Sequence, residues 1–304
     1  MLKSTILKTA FALGLDMPLR WLRRRSAVVL MYHGFTDRPS DGVVNYQGNR
    51  LQAATFRRQL AFLREQCNVV TLREVVSSLS GGPSLPDYAV ALSIDDGYES
   101  VYTLGFPALR EAKVPATLFV ATQFVDERVP LWPDRLEYAF AAAPGDAAAR
   151  RERLRGLQRK AKDLLPEERE ALIAPIETEL GRRLILDTNA PENYWPLTWA
   201  QTREMAASGL MEIGSHTHTH TLLSSLSERE QRDELVHSKR VLDALVGTPV
   251  VSLSYPKGME GGFTEETMPA PKANPRGMTD EASPSTEPDL PDWLSTKKFN
   301  QPIP

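Results

Sequence analysis

The sequence lacks the features that mark several classes of protein. Its one cysteine, Cys67, excludes an intrachain disulfide framework. No apolar run reaches the roughly 20 residues that a membrane-spanning helix needs. A formal net charge of −3 gives no reason to expect a nucleic-acid partner. With 41% hydrophobic and 25% charged residues, the 304-residue chain has the composition of a globular protein with one large domain or two small ones.

The two ends of the chain differ from its middle. Residues 1–25 mix apolar residues with six basic residues and one acidic residue, a local charge of +5. This pattern predicts a basic amphipathic helix, which would either pack on the domain or contact an anionic membrane surface. A clear signal peptide is lacking, so we expect a location that is cytoplasmic or peripheral to the membrane. Residues 264–304 hold eight prolines and predict a disordered tail, which leaves 26–263 as the folded domain.

Strands and helices alternate along that domain. Six runs of strand-forming residues predict strands at 27–32, 69–72, 89–94, 116–121, 211–215 and 250–255. From 134 to 184 the chain is rich in Ala, Arg, Glu and Leu, which predicts a helical insertion with helices near 134–143, 147–163 and 167–180. The alternation indicates parallel βαβ units and an α/β fold. Because it stops after six strands, we expect a distorted or incomplete (β/α) barrel.

Two short strings carry the candidate chemistry. Ser93-Ile94-Asp95-Asp96-Gly97 places two carboxylates at the C-terminal end of a predicted strand, where α/β folds bind ligands. His216 and His220 are four residues apart and would share one face of a helical turn. Two imidazoles and one carboxylate can hold a metal and leave a position open for water, and the second carboxylate can act as a base. The strings therefore predict metal-assisted hydrolysis.

Each string also has a plainer interpretation. Asp-Asp-Gly suits a turn, since Asp-Gly favours positive φ, and a pair of histidines is common on protein surfaces. Three of the five histidines, however, fall within the five residues 216–220. That concentration, together with the strand that precedes Asp95, favours a site.

The same strings resemble the motifs of the NodB-homology polysaccharide deacetylases, carbohydrate esterase family four. Ser93–Gly97 resembles the first motif of that family and His216–His220 the second, while Ser254-Tyr255-Pro256-Lys257-Gly258 matches the third only in part. The flanking runs Pro115–Val120 and Gly209–Ser215 agree as well. The likeness covers about 27–263 and implies a distorted barrel of NodB-homology type.

The resemblance implies a role for each matching residue. Asp96, His216 and His220 would bind a divalent metal, usually zinc, and Asp95 would be the general base toward water. The tetrahedral oxyanion would be held by the metal and by the backbone N–H of Lys257, because the preceding proline has none.

The general acid needs a different source, since no histidine follows His237 in the sequence. Tyr32-His33 resembles the N-terminal motif of a permuted branch, the poly-N-acetylglucosamine deacetylases. We therefore expect His33 to protonate the leaving amine, with a buried structural histidine as the alternative.

The expected substrate is an N-acetylated glycan. Tyr98, Tyr255 and Trp132 are candidates for contacts with sugar rings, and ordinary packing is the alternative for each. The predicted activity is the removal of N-acetyl groups from an amino-sugar polysaccharide. A carbohydrate O-acetyl esterase, or an inactive remnant that binds a glycan or a partner, remains a competing hypothesis.

Overall fold

A computed structural model describes residues 21–22, 24–39, 42–247 and 249–256. The described strands are β1 (Val28–Tyr32), β2 (Gly34–Thr36), β3 (Arg50–Gln52), β4 (Asn68–Val69), β5 (Ala89–Ile94), β6 (Ala116–Val120) and β7 (Met211–Ser215). Five of them form a parallel sheet in the order β1–β5–β6–β7, with β4 beside the start of β5. A separate parallel pair is formed by β2 and β3, which the sequence did not predict.

Helices connect and cover these strands. Three helices, α5 to α7, form the insertion that the sequence predicted and share their own apolar core of Leu136, Phe140, Leu154 and Ile173. The described helices are α1 (Ala53–Gln66), α2 (Leu72–Leu79), α3 (Phe106–Ala112), α4 (Thr122–Asp126), α5 (Trp132–Ala141), α6 (Ala147–Ala161), α7 (Pro166–Glu179), α8 (Trp199–Ala207) and α9 (Glu228–Val246).

The two central strands of the sheet, β5 and β6, are buried along their whole length. Successive side chains on a strand point to opposite faces. Leu92 and Leu118 accordingly pack in the main core, whereas Ala91 and Phe119 pack in a smaller cluster on the other face. Helices on both faces explain why these strands are continuous apolar runs rather than alternating ones.

The edges of the sheet depart from the sequence-based expectation. β1 is an edge strand, and its side chains Val28 and Met31 are exposed although the run is apolar. The strand expected at 250–255 is reduced to a parallel bridge between Ser215 and Leu253. In the described ranges the sheet is therefore open, which agrees with an incomplete barrel. None of the described helices has the length and apolarity to span a bilayer.

The two terminal predictions fall outside the described residues. The amphipathic helix expected within 1–25 lies almost entirely in the undescribed range 1–20. The tail expected at 264–304 lies beyond residue 256. Both stay predictions from composition.

Candidate metal centre

Three side chains from two distant loops converge at the carboxyl ends of β5 and β7. One ligand atom each from Asp96, His216 and His220 lies within 4.8 Å of the others. The Oδ1 atom of Asp96 is 3.6 Å from Nε2 of His216 and 3.3 Å from Nε2 of His220. Ligands of a tetrahedral ion at bond lengths of about 2.0–2.2 Å would be separated by about 3.4 Å. The spacing therefore suits one shared cation.

The two imidazoles are brought together by a loop, so the helical turn expected at 216–220 is wrong. Thr217 and His220 have φ angles of 65° and 56°, and Asp96 in the other loop has a φ of 78°. The left-handed region is uncommon for residues other than glycine. Such backbone strain persists where the surrounding structure enforces it, and it concentrates at functional sites.

The start of α4 binds both loops. Backbone amides at the start of a helix lack partners within the helix, and here they donate to carbonyls of the two site loops. The bonds run from Ala121 to Asp96 (3.1 Å), from Thr122 to Thr217 (3.2 Å) and from Gln123 to His218 (2.9 Å). One short helix therefore fixes the loop that carries the carboxylate and the loop that carries the imidazoles.

The polar atoms of the site fit a divalent cation. Nδ1 of His216 lies 2.8 Å from the carbonyl oxygen of Ser254, to which it can donate, which leaves Nε2 with its lone pair directed at the site. Within the described residues, Oδ1 of Asp96 and Oδ1 of Asp95 are buried and have no hydrogen-bond partner. Buried carboxylate oxygens without partners are costly, and a cation would satisfy that of Asp96.

Burial and neighbouring charge separate the two adjacent carboxylates. Burial acts to raise the pKa of Asp96, but the nearby imidazole of His220, with the charges of His33 and His216, holds it well below its usual range. The pKa of Asp95 is raised by burial and then by the charge of Asp96. Burial lowers the pKa of His216 to about 3, so its imidazole is neutral, as a metal ligand must be. Asp96 is thus suited to bind a cation and Asp95 to accept a proton.

His33 lies beside this cluster. It follows β1 directly, and the last residue of β1, Tyr32, pairs with Ile94 and accepts a hydrogen bond from the backbone N–H of Asp95 at 2.9 Å. The charge of His33 contributes to lowering the pKa of both Asp96 and His216. The half-buried imidazole is therefore within electrostatic reach of the candidate metal ligands.

The candidate substrate residues lie in different environments. Trp132 lines a cavity of about 180 Å³ together with His218 and Thr219 of the loop at residues 216–220, the histidine loop. Tyr255 is half-buried against an apolar cluster at α9, and burial raises the pKa of its hydroxyl to about 12. The backbone N–H proposed for the oxyanion belongs to Lys257, which lies outside the described residues.

Tyr98 is buried in the core, with an exposed fraction of 7%. Its hydroxyl donates to Asp134 at 2.8 Å, and its ring packs edge-on against Phe124 at 5.3 Å between centroids. A buried ring offers no free face to a sugar. Contact between Tyr98 and substrate stays a prediction, and this environment favours the packing alternative.

Two polar arrangements close to the site were not indicated by any sequence pattern. Arg50 forms a buried ion-pair cluster with Asp134 and Glu137, although both acids lie more than 80 positions after Arg50 in the sequence. Glu234, on a helix face that reads as plain surface, binds the histidine loop. Asp134, Glu137 and Glu234 each lie in a helix with several charged residues, and the charge pattern of these helices does not indicate which charges make buried contacts.

Comparisons with known proteins identify the family of this chain. The family model for polysaccharide deacetylases matches residues 83–271, more than half of the chain. A poly-beta-1,6-N-acetyl-D-glucosamine N-deacetylase of Escherichia coli K12 is 25% identical over 191 residues, which cover 62% of this chain and 20% of that relative. The chain thus spans about a fifth of the length of the curated relative it matches.

Solved structures that resemble this chain include IcaB and PplD. IcaB from Ammonifex degensii has a TM-score of 0.49 and 23% identity over 78% of this chain and 77% of that one. The Streptococcus pyogenes deacetylase PplD in complex with acetate has a TM-score of 0.48 and 20% identity over 78% and 76%. The family match is the stronger finding, because it includes both the Asp-Asp-Gly string and the histidine loop. The chain belongs to the polysaccharide deacetylase family.

Proposed function

We propose that this protein is a metal-dependent hydrolase that removes N-acetyl groups from an amino-sugar glycan. The observation that carries the proposal is the convergence of Asp96, His216 and His220 next to Asp95, whose buried Oδ1 atom has no hydrogen-bond partner. Two imidazoles and a carboxylate suit a divalent ion, with zinc as the first candidate.

A bound divalent ion would supply Lewis acidity, which polarises an amide carbonyl and lowers the pKa of water. The residues of the chain would handle the protons. Asp95, whose pKa is raised by burial, is suited to take a proton from water at neutral pH. His33 would return a proton to the departing amine, and the backbone N–H of Lys257 would donate to the oxyanion.

The nature of the glycan is proposed from the relatives. The E. coli relative is named for poly-beta-1,6-N-acetyl-D-glucosamine, and Tyr32-His33 matches the N-terminal motif of that branch. We therefore take a polymer of N-acetylglucosamine as the first substrate to test. The half-exposed Trp132 beside the histidine loop is the aromatic candidate for contact with a sugar ring.

The direct test measures acetate released from N-acetylglucosamine oligomers before chelation, after chelation and after zinc is restored. We expect release to stop with chelator and to return with metal. Release that is insensitive to chelator, or a protein that binds no divalent metal, would overturn the proposal. A parallel assay on an O-acetylated sugar separates amide from ester hydrolysis, and metal binding without any turnover would support the remnant hypothesis instead.

Two variants separate binding from catalysis. Asp95→Asn should retain metal and lose about 10²- to 10⁴-fold in turnover, the usual contribution of a general base. His216→Ala should lose metal and turnover together. Asp233→Asn, at an exposed position on α9, is the control and should change neither. Equal metal loss in both site variants would mean that the roles of the carboxylates are wrongly assigned.

A further inference from the structure

Glu234 binds the segment of chain between the two candidate histidine ligands. It lies in the second turn of α9, where it is half-buried. Its Oε2 atom accepts from the backbone N–H groups of His218 and Thr219, both at 2.9 Å. Its Oε1 atom accepts from the hydroxyl of Thr219 at 2.7 Å. One carboxylate thus makes three hydrogen bonds to two consecutive loop residues.

These bonds act on the backbone that sets the ligand geometry. Consecutive backbone N–H groups that point the same way form a concave site for an anion. The two residues flanking this pair, Thr217 and His220, both have positive φ. Such a conformation costs of order 1–3 kcal/mol per residue and persists only when its surroundings enforce it. Glu234 accepts three hydrogen bonds from the two residues between them, so it can enforce this conformation.

The loop is held from two sides by different elements. The start of α4 binds its carbonyl oxygens, at Thr217 and His218, whereas Glu234 on α9 binds its amide groups. Without Glu234, two backbone donors and the Thr219 hydroxyl lose a partner, while the amides of His216 and Thr217 keep theirs at Val120 and Ser215. The backbone just before His220 would then be less constrained, and with it the position of the His220 imidazole relative to that of His216.

We propose that Glu234 is a positioning residue that sets the geometry of His216 and His220 and thereby the affinity for the metal. This inference rests on the proposed function, because it assumes that the two histidines bind a divalent ion. The hydrogen bonds of Glu234 to the loop go to His218 and Thr219 and not to the candidate ligand atoms. It acts through the loop backbone and the hydroxyl of Thr219.

The test compares the zinc affinity of variants by competition with a chromophoric chelator. The metal-free proteins are first shown to be folded by circular dichroism at the temperature of the titration. Glu234→Ala removes all three bonds, and Glu234→Asp keeps the charge but shortens the reach. Glu234→Gln loses the charge but keeps an oxygen for both backbone donors. Gln231→Ala is the matched control, since Gln231 is buried on α9 and bonds the carbonyl of Leu226, away from the loop.

We expect Glu234→Ala and Glu234→Asp to bind zinc about 10- to 100-fold more weakly, the range found when groups that orient metal ligands are lost. Glu234→Gln should restore affinity to within about threefold of the unmodified protein, because the positioning bonds matter more than the charge. Gln231→Ala should lower thermal stability and leave zinc affinity unchanged.

Three outcomes would overturn the inference. They are unchanged affinity in Glu234→Asp, equal losses in the Gln and Asp variants, or a comparable loss in Gln231→Ala. If Glu234→Ala does not fold, the Asp and Gln variants still decide the question. Failure of the unmodified protein to bind zinc would instead refute the proposed function, so the two failures are distinguishable.

Discussion

Replacing Arg50 by methionine should destabilise the fold strongly, because it leaves two buried carboxylates without their cation. Arg50 is 5% exposed and donates to Asp134 at 2.6 Å, to Glu137 at 2.8 Å and to the carbonyl of Asn193 at 2.9 Å. Removing one partner of a buried ion pair typically costs about 3–5 kcal/mol. Methionine fills much of the volume, so the loss would come from the uncompensated charge rather than from a cavity.

The loss should also depend on pH. Burial raises the pKa of Asp134, and the charge of Arg50 opposes that rise. In Arg50→Met the opposing charge is gone, so the carboxyl is protonated over a wider range of pH. A group whose pKa is higher in the folded state stabilises the fold below its unfolded pKa, and this contribution is lost as pH rises through the folded value. The stability gap between the unmodified protein and the variant should therefore widen as pH rises above about 7, the pKa to which burial raises Asp134 in the presence of Arg50.

Urea unfolding of the metal-free proteins, followed by circular dichroism at pH 5 and pH 8, measures both effects. Arg153→Met is the matched control, since its ion pair with Glu179 is about half-exposed on both sides and should contribute less than about 1 kcal/mol. A loss below about 1 kcal/mol in Arg50→Met at pH 8, or a gap that does not change with pH, would refute the reasoning.

Three further predictions concern other parts of the molecule. Zinc at about 100 times its dissociation constant should stabilise the protein by about 2.7 kcal/mol, seen as a higher melting temperature that chelator reverses. A melting temperature that zinc does not change would contradict the proposed metal site. Gly214→Ala should destabilise by about 1–3 kcal/mol in urea, because a Cβ there would lie 2.5 Å from the ring of Phe119; an equally stable variant would mean that the ring moves aside freely. Asp146→Ala should lower the melting temperature at pH 7, because backbone N–H groups at the start of α6 lower the pKa of this cap. That contribution is present above the unfolded pKa and lost as pH falls, so the difference should vanish near pH 2 in repeat melts, and a constant difference would contradict it.

The central strands and the candidate ligands that the structure brings together were predictable because their signals are local. β5 is a continuous apolar run followed at once by Asp95 and Asp96, and parallel strands place their carboxyl ends at one edge of the sheet. The edge of the sheet was less predictable. The run at β1 is as apolar as that of β5, yet its exposure depends on which strands lie beside it, and no single run encodes its neighbours.

The geometry of the site was not predictable for a related reason. A spacing of four suggested a helical turn at 216–220, but the loop instead uses left-handed conformations at Thr217 and His220. The loop is bound there by Glu234 and by the start of α4, which belong to other elements of the fold. Local propensity opposes them, so only tertiary contacts could have indicated them.

The same contacts explain how the fold holds the three candidate ligands near one another. Asp96 and the histidines are held 3.3 and 3.6 Å apart, too far for strong direct hydrogen bonds and close enough to share an ion. Without constraints from the backbone, a carboxylate and two imidazoles would move closer and form direct hydrogen bonds with one another. Here the amides at the start of α4 fix the backbone of Asp96 and of the histidine loop, so collapse would break hydrogen bonds made elsewhere. The unpartnered oxygen of Asp96 is therefore maintained by the fold, and changes in the loop should alter metal affinity before they alter the stability of the β5–β6–β7 core.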